Sequence, residues 1–184
     1  MVEKEYLIRE LRKFFDSYEV CVLRERAKKY ESSERELYGL ELKEEEGLAL
    51  RAIKGDRMVF SYTYEKGEKG VASLLENATT LVPFMESDEH VSLPEQFDSY
   101  PVLEAYDDRG LQTDDHEKIS RVITLEQSIL GHDKRIVKTR NCELQEVEIA
   151  ATIFNSRGLQ AEARKTIYTL GGFCVAANGE EVSW

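Results

Sequence analysis

Leu7, Leu11, Phe14 and Phe15 recur at i, i+4, i+7 and i+8 with Glu, Lys and Arg between them, a spacing that predicts an amphipathic helix over residues 2–15. The pattern then changes to alternation. Tyr18, Val20 and Val22 mark a first strand, Tyr38, Leu40 and Leu42 a second, Leu48, Leu50 and Ala52 a third, and Met58, Phe60, Tyr62 and Tyr64 a fourth. Gly55-Asp56 is a two-residue turn signal that makes the last two a hairpin. Helical spacing returns at Val71, Leu74, Leu75, Ala78, Leu81 and Val82, and Pro83 ends that helix because its ring cannot continue the hydrogen-bond ladder.

Residues 84–113 contain Pro94 and Pro101, many acids and no period, and read as one long connection. Asp114 and Glu117 have capping-box spacing ahead of Ile119, Val122, Ile123, Ile129 and Leu130, and Gly131 is placed to take the left-handed C-terminal conformation. Strands follow at 135–140, 144–154, 159–168 and 173–177, with Gly171-Gly172 as a bulge or bend between the last two. The fold class is therefore α+β. Two similar helix-plus-antiparallel-strand blocks (α-β-β-β-β repeated) occupy about 1–83 and 114–184 of one domain, 1–184, with an extra helix and the connection 84–113 between them. At an offset of 111, Tyr38, Leu40, Leu42 and Gly47 fall on Ile149, Ala151, Ile153 and Gly158. That offset sets Glu44-Glu45-Glu46-Gly47 on Asn155-Ser156-Arg157-Gly158, and both read as hairpin corners with glycine at the fourth turn position.

The length of 184 residues suits one ordinary domain of roughly 100–200 residues, and 41% apolar with 33% charged residues gives a sizeable core under a highly charged surface. A formal net charge of -11 would repel a phosphate backbone, and no basic block interleaved with aromatics compensates, so nucleic acid is not an expected partner. No apolar run reaches the roughly 18 residues that cross a bilayer, and the N-terminus has no signal-like pattern, so no membrane partner and a cytoplasmic location are expected. Cys21, Cys142 and Cys174 have no C-x-x-C spacing and read as reduced structural thiols. Asn77-Ala78-Thr79 matches a glycosylation sequon by chance inside the second helix.

His116-Glu117 begins like H-E-x-x-H, but Ser120 stands where the second imidazole belongs. His90 and His132 read as loop residues, and no histidine pair has metal-ligand spacing. The glycine patterns of dinucleotide sites, P-loops and hydrolase elbows are missing, and Asp107-Asp108 and Asp114-Asp115 read as loop and cap residues. No catalytic, cofactor-binding or metal-binding residue is assigned from the residues themselves, and peptide-binding residues are not identified. An open sheet edge offers a generic place for an added peptide strand.

"ELYGLELKEEEGLALRAIKGDRMVFSYTYEKGEKGVASLLENATTLV", with Gly47 and Arg51 in a G-x-x-x-R pattern, resembles the N-terminal domain of the TldD/PmbA (TldE) family of zinc-dependent peptidases, formerly labelled modulators of DNA gyrase. "YPVLEAYDDRGLQTDDHEKI" is similar to that family's long connection, and "RIVKTRNCELQEVEIAATIFNSRGLQAEARKT" to its second strand block. Val59-Phe60 departs from the family's Gly-Phe, and the helix after Gly70 is short. The resemblance implies a C-terminal domain carrying H-E-x-x-x-H and zinc in TldD-type subunits, and PmbA-type partners without that motif. It also implies pairing into a dimer that admits unfolded peptides. Since H-E-x-x-x-H is not in this sequence, the resemblance implies a noncatalytic domain with no cofactor of its own, working with a C-terminal peptidase domain or partner subunit. Two alternatives stand beside it: a stand-alone peptide- or protein-binding module without protease activity, and a gyrase modulator acting through protein contact.

Overall fold

The computed structural model describes residues 4–179 and 181–183. Its elements are α1 (Lys4–Leu11), β1 (Ser17–Ser33), β2 (Glu36–Lys54), β3 (Arg57–Thr63), α2 (Gly67–Leu81), a 3-10 turn (Val82–Phe84), α3 (Arg109–Gln112), α4 (Asp115–His132), β4 (Ile136–Asn155), β5 (Gln160–Asn178) and β6 (Glu181–Ser183). The strands form one six-stranded sheet in the order β3-β2-β1-β4-β5-β6. The α+β class holds, and so does the repeated order of a helix followed by strands.

Among the described residues each block holds three strands where alternation alone suggested four: β2 merges two predicted strands in the first block, while in the second β4 and β5 each merge two and the short β6 is one that alternation did not show. Glu44-Glu45-Glu46-Gly47 lies inside β2 and is not a corner. The acids there pair across the ladder with the basic stretch of β1: Arg24 with Glu46 at 2.6 Å, Arg26 with Glu44 at 3.1 Å and Lys29 with Glu41 at 3.3 Å. Opposite charges facing each other across strands favour continuation, so the polar run that resembles a turn is a charged strand. The 111 offset fails with it, since the chain order instead matches β1 with β4, β2 with β5 and β3 with β6.

The β1–β2 reversal falls at Glu34 and Arg35, whose φ values of 56° and 66° are left-handed. Glycine or asparagine usually fills such positions, and neither is present here. The Gly55-Asp56 hairpin is as expected, with Lys54 opposite Arg57, Ala52 opposite Val59 and Leu48 opposite Thr63. α1 is shorter than predicted, ending at Leu11, with residues 12–15 in a turn that still buries Phe15. Pro83 follows the end of α2 at Leu81. Asp114 caps α4 by accepting from the His116 N–H at 2.8 Å, while Glu117 pairs with Arg121 and leaves the box half closed. Gly131 lies within α4, which runs on to His132, and Gly171-Gly172 lie within β5. Glycine is required at 172 by close packing and not by a bend, because a Cβ there would strike Cys142 Sγ and Ile129.

By compactness the chain divides into two units. The first comprises 1–24, 45–103 and 150–164, and its core joins Leu7, Leu11 and Phe15 to Tyr18, Val20, Leu50, Ala52 and Val59 of the strands and Val71, Leu74, Leu75 and Ala78 of α2. The spacing i, i+3, i+4, i+7 in α2 puts those four side chains on one stripe, and each buried Leu or Val contributes about 1.5–3 kcal/mol. The second unit comprises 25–44, 104–149 and 165–184, with Tyr30, Val122, Cys142 and Leu144 at its centre.

Candidate functional site

In the first unit the β4–β5 corner is a structural clamp. Asn155 is buried, and its carboxamide oxygen accepts from the N–H groups of Arg157 at 2.8 Å and Leu159 at 3.1 Å. Its amide nitrogen donates to the Pro94 carbonyl at 2.7 Å and toward Glu19 at 3.4 Å. Ser156 exchanges both its N–H and its hydroxyl with the backbone of Tyr18, and Arg157 reaches the Leu93 carbonyl and Glu95. Gly158 completes the reversal at φ 90°. These bonds hold the irregular segment around Leu93 against the corner, so Asn155-Ser156-Arg157-Gly158 is a hairpin corner, as its pattern predicts, with a second role as an anchor for the connection. Glu19 is held in turn by Arg51 at 2.5 Å.

The first unit also has a cleft of about 370 Å³ between α1, the start of α2 and the sheet. Leu7, Val22, Leu48 and Phe154 form its apolar floor, and Lys4, Arg24, Glu46, Lys66 and Glu162 stand among its polar lining. Lys4 bonds Gln160 at 3.0 Å and lies 4.6 Å over the Phe154 ring. Phe60 and Tyr62 of edge strand β3 and Tyr64 just beyond its end are 60%, 62% and 65% exposed and form a ladder with ring centroids 6.3 and 6.1 Å apart. The outer edge of β3 meets Ser87 at Arg57.

The second unit contains a buried ion pair, Lys118 with Glu146 at 2.8 Å, with side chains 4% and 7% exposed. Beside it Tyr30 donates to Asp115 at 2.6 Å, and Lys28 also reaches Asp115 at 2.7 Å. Burial, then the Asp115 contact, pushes the Tyr30 phenol up to about 12, so it stays protonated. Sequence reasoning missed this network. Its signal is present, because Lys118, Val122 and Glu126 lie at i, i+4 and i+8 on one stripe of α4 and all three are buried.

Glu126 explains the unusual β1–β2 turn: its carboxylate accepts from the Arg35 N–H at 3.0 Å and the Thr139 hydroxyl at 2.7 Å. Burial raises this carboxyl, and the bonds from Thr139, Arg35, Ser32 and Glu34 outweigh it, leaving it below the ordinary 4.5. A lowered folded value means that the stabilisation is present above 4.5 and disappears as pH falls through the folded value. The protection factor of the Arg35 amide, its exchange relative to an unstructured amide at the same pH, is expected to fall on acidification below that point, and Glu126→Gln to lose about 1–2 kcal/mol at neutral pH with a flatter acid limb. Hydrogen-exchange NMR and urea titrations check both.

The end of the connection docks on β5 through Tyr168, whose hydroxyl donates to the Asp107 carbonyl at 2.6 Å and accepts from the Leu111 N–H at 3.1 Å. Gly110 sits against that ring with no room for a methyl group. Gly110→Ala is therefore expected to cost about 1–3 kcal/mol, measured as a lower melting temperature, and Tyr168→Ala in the same chain to relieve the clash while losing both hydrogen bonds.

His116 is in the first turn of α4, and His90 and His132 lie elsewhere without a shared centre. Among the described residues no group of three or more His, Cys, Asp or Glu is placed to hold a metal, so the residues present do not fit a zinc site. The cysteines are free, and burial pushes the thiols of Cys21 and Cys142 up. No helix among the described residues is long and apolar enough to cross a membrane.

Three solved structures share this fold. TldE from Thermococcus kodakarensis is 21% identical with a TM-score of 0.77, and the match covers 97% of this chain and 40% of that one. Two proteins described as candidate modulators of DNA gyrase follow the same pattern. The Thermotoga maritima protein is 18% identical at TM-score 0.76, covering 96% and 40%, and the Bacteroides thetaiotaomicron protein is 19% identical at TM-score 0.82, covering 96% and 41%. The chain thus spans about 40% of the length of these structures. No curated protein matches it. Residues 108–184 match the sequence model of the PmbA/TldA metallopeptidase central domain. The fold is thus shared over nearly the whole chain, and the similarity to a PmbA/TldA metallopeptidase central domain lies in residues 108–184. In this match and in its fold the chain is similar to the TldD/PmbA family whose motifs it resembles.

Proposed function

We propose that this chain is a noncatalytic part of a TldD/PmbA-type metallopeptidase, helping to assemble its subunits and to form the wall past which unfolded peptide travels. The match of residues 108–184 to a metallopeptidase central domain carries the reading. Exposed apolar side chains support it: Tyr38, Leu40 and Leu42 alternate along one face of β2 in the second unit, and Val102 and Leu103 project from the connection in the first. Apolar rows of this kind are costly in water and mark surfaces that other protein covers. Zinc chemistry belongs, in this reading, to a C-terminal domain or a partner subunit.

The test is the double variant Leu40→Asp/Leu42→Asp in the full gene product, expressed with its partner subunit. Equilibrium sedimentation is expected to show loss of assembly, and hydrolysis of an unfolded peptide is expected to fall, with an unchanged circular dichroism spectrum. Intact assembly and intact hydrolysis would overturn the assignment.

A second reading, a stand-alone peptide-binding module, draws on the β3 edge with its exposed Phe60 and Tyr62 and the neighbouring Tyr64. It predicts that an extended peptide binds the chain in the absence of any partner and that Tyr62→Ser abolishes the binding.

A further inference from the structure

We propose that the free edge of β3 pairs with the same edge of a second copy of this chain, antiparallel and two-fold symmetric about Ser61, so that the two sheets become continuous. β3 is the outermost strand of its sheet. Lys54 and Arg57 flank the two-residue turn Gly55-Asp56, and in a hairpin of that length the flanking residues bond each other. The odd-numbered residues of β3 therefore bond β2, and the backbone groups of Met58, Phe60 and Tyr62 point outward. Asp56 has the same parity, and its carbonyl accepts from the Asp88 N–H at 2.8 Å on the outer side. Among the described residues that edge meets another segment only where Arg57 faces Ser87, which leaves the N–H and C=O groups of Phe60 and Tyr62 in water.

A chain that stays single protects such an edge with lysine, proline or a bulge. From Met58 to Tyr64 there is no charge, no proline and no glycine, the residues are mostly aromatic or β-branched, and the register with β2 runs without a bulge. The edge is also complementary to itself. With the axis at Ser61, the whole stretch from Val59 to Thr63 pairs with its own copy and stops short of Ser87. An axis at Phe60 would bring Thr63 onto the position that Ser87 fills, and one at Tyr62 would leave Val59 and Phe60 outside the strand pairing. Phe60 then faces Tyr62 of the other copy in a hydrogen-bonded position, and facing aromatic pairs reinforce a ladder. Ser61 meets its own copy where Cα atoms approach to about 4.5 Å, which suits a small side chain.

Charge favours the same arrangement. Asp56, Glu86, Asp88 and Glu89 flank the start of the edge around one cation, Arg57. The other end leads through Lys66 into α2, where Lys69 offsets Glu68, and the helix N-terminus has no side-chain cap, so its partial positive charge is left over. Antiparallel pairing sets the acidic start of each copy beside the α2 N-terminus of the other, whereas a parallel approach would set acid against acid.

Sedimentation equilibrium of the full chain by itself, at roughly 100 µM, is expected to give twice its 21.2 kDa. Residue-resolved hydrogen exchange under the same conditions is expected to show the Phe60 and Tyr62 amides protected by about tenfold or more, because only strand pairing covers those N–H groups. Tyr62→Pro deletes an outward N–H at an edge position that tolerates proline, and is expected to leave a monomer. Phe60→Lys/Tyr62→Lys sets lysine against lysine across the axis and is expected to do the same with an unchanged circular dichroism spectrum, since both side chains are exposed. A monomer at this concentration, or a dimer in which the two amides stay unprotected, would overturn the proposal. So would protection that appears only when a partner subunit or an extended peptide is added, which would assign the edge to that occupant. None of these outcomes bears on the Leu40→Asp/Leu42→Asp assembly test, which changes β2 alone.

Discussion

Replacing Asn155 by alanine is expected to cost about 3–4 kcal/mol of folding stability, among the largest effects of any single substitution in this chain. One carboxamide satisfies two backbone N–H groups of its own corner and one carbonyl of the connection, all at 2.7–3.1 Å. Alanine would leave those groups unpaired in a buried site, which costs far more than the net value of the bonds. Urea unfolding should show a lower midpoint with an unchanged slope. Asn155→Asp gives a sharper control. It keeps the oxygen that accepts both N–H groups but loses the donor to Pro94 and adds a negative charge beside Glu19, so it should also destabilise, and more at neutral than at acidic pH. A near-neutral Asn155→Ala would mean that the corner and the segment around Pro94 are not held together in solution.

Breaking the Lys118–Glu146 pair should be comparably costly. Lys118→Met leaves a buried carboxylate without its cation, and about 3–5 kcal/mol is the usual consequence. Lys118→Met/Glu146→Leu removes both charges and both desolvation costs, and should recover most of the loss to within about 1 kcal/mol of the parent. A double-mutant cycle in urea measures the coupling directly. If the single variant were as stable as the parent, the pair would be water-exposed in solution and the second unit looser than its packing indicates.

Both residues expose a limit of pattern reading. Lys118 and Glu126 sit on the inward stripe of α4 beside Val122, yet a charge on an apolar stripe does not announce its partner. Those partners come from β4 and the β1–β2 turn, far away in the chain. The same holds for Glu34 and Arg35. A two-residue reversal without glycine or asparagine has no local signature, and it persists because Glu126 accepts the Arg35 N–H. Conversely, Glu44-Glu45-Glu46-Gly47 carries a turn signature that goes unused, because Arg24 and Arg26 face those acids across the ladder.

Local information was enough for α1, α2 and α4, the Gly55-Asp56 hairpin, the corner at Asn155 and the α+β class, since periodicity and turn chemistry act between residues close in the chain. The order of weak motifs was also enough to point to the TldD/PmbA family. Strand length and the β1–β2 turn, the anchoring role of Asn155, the buried ion pair and the cleft of the first unit were settled only on folding. Each depends on which side chains from distant segments meet, and a buried charge or a strained turn is stable only when such a partner arrives.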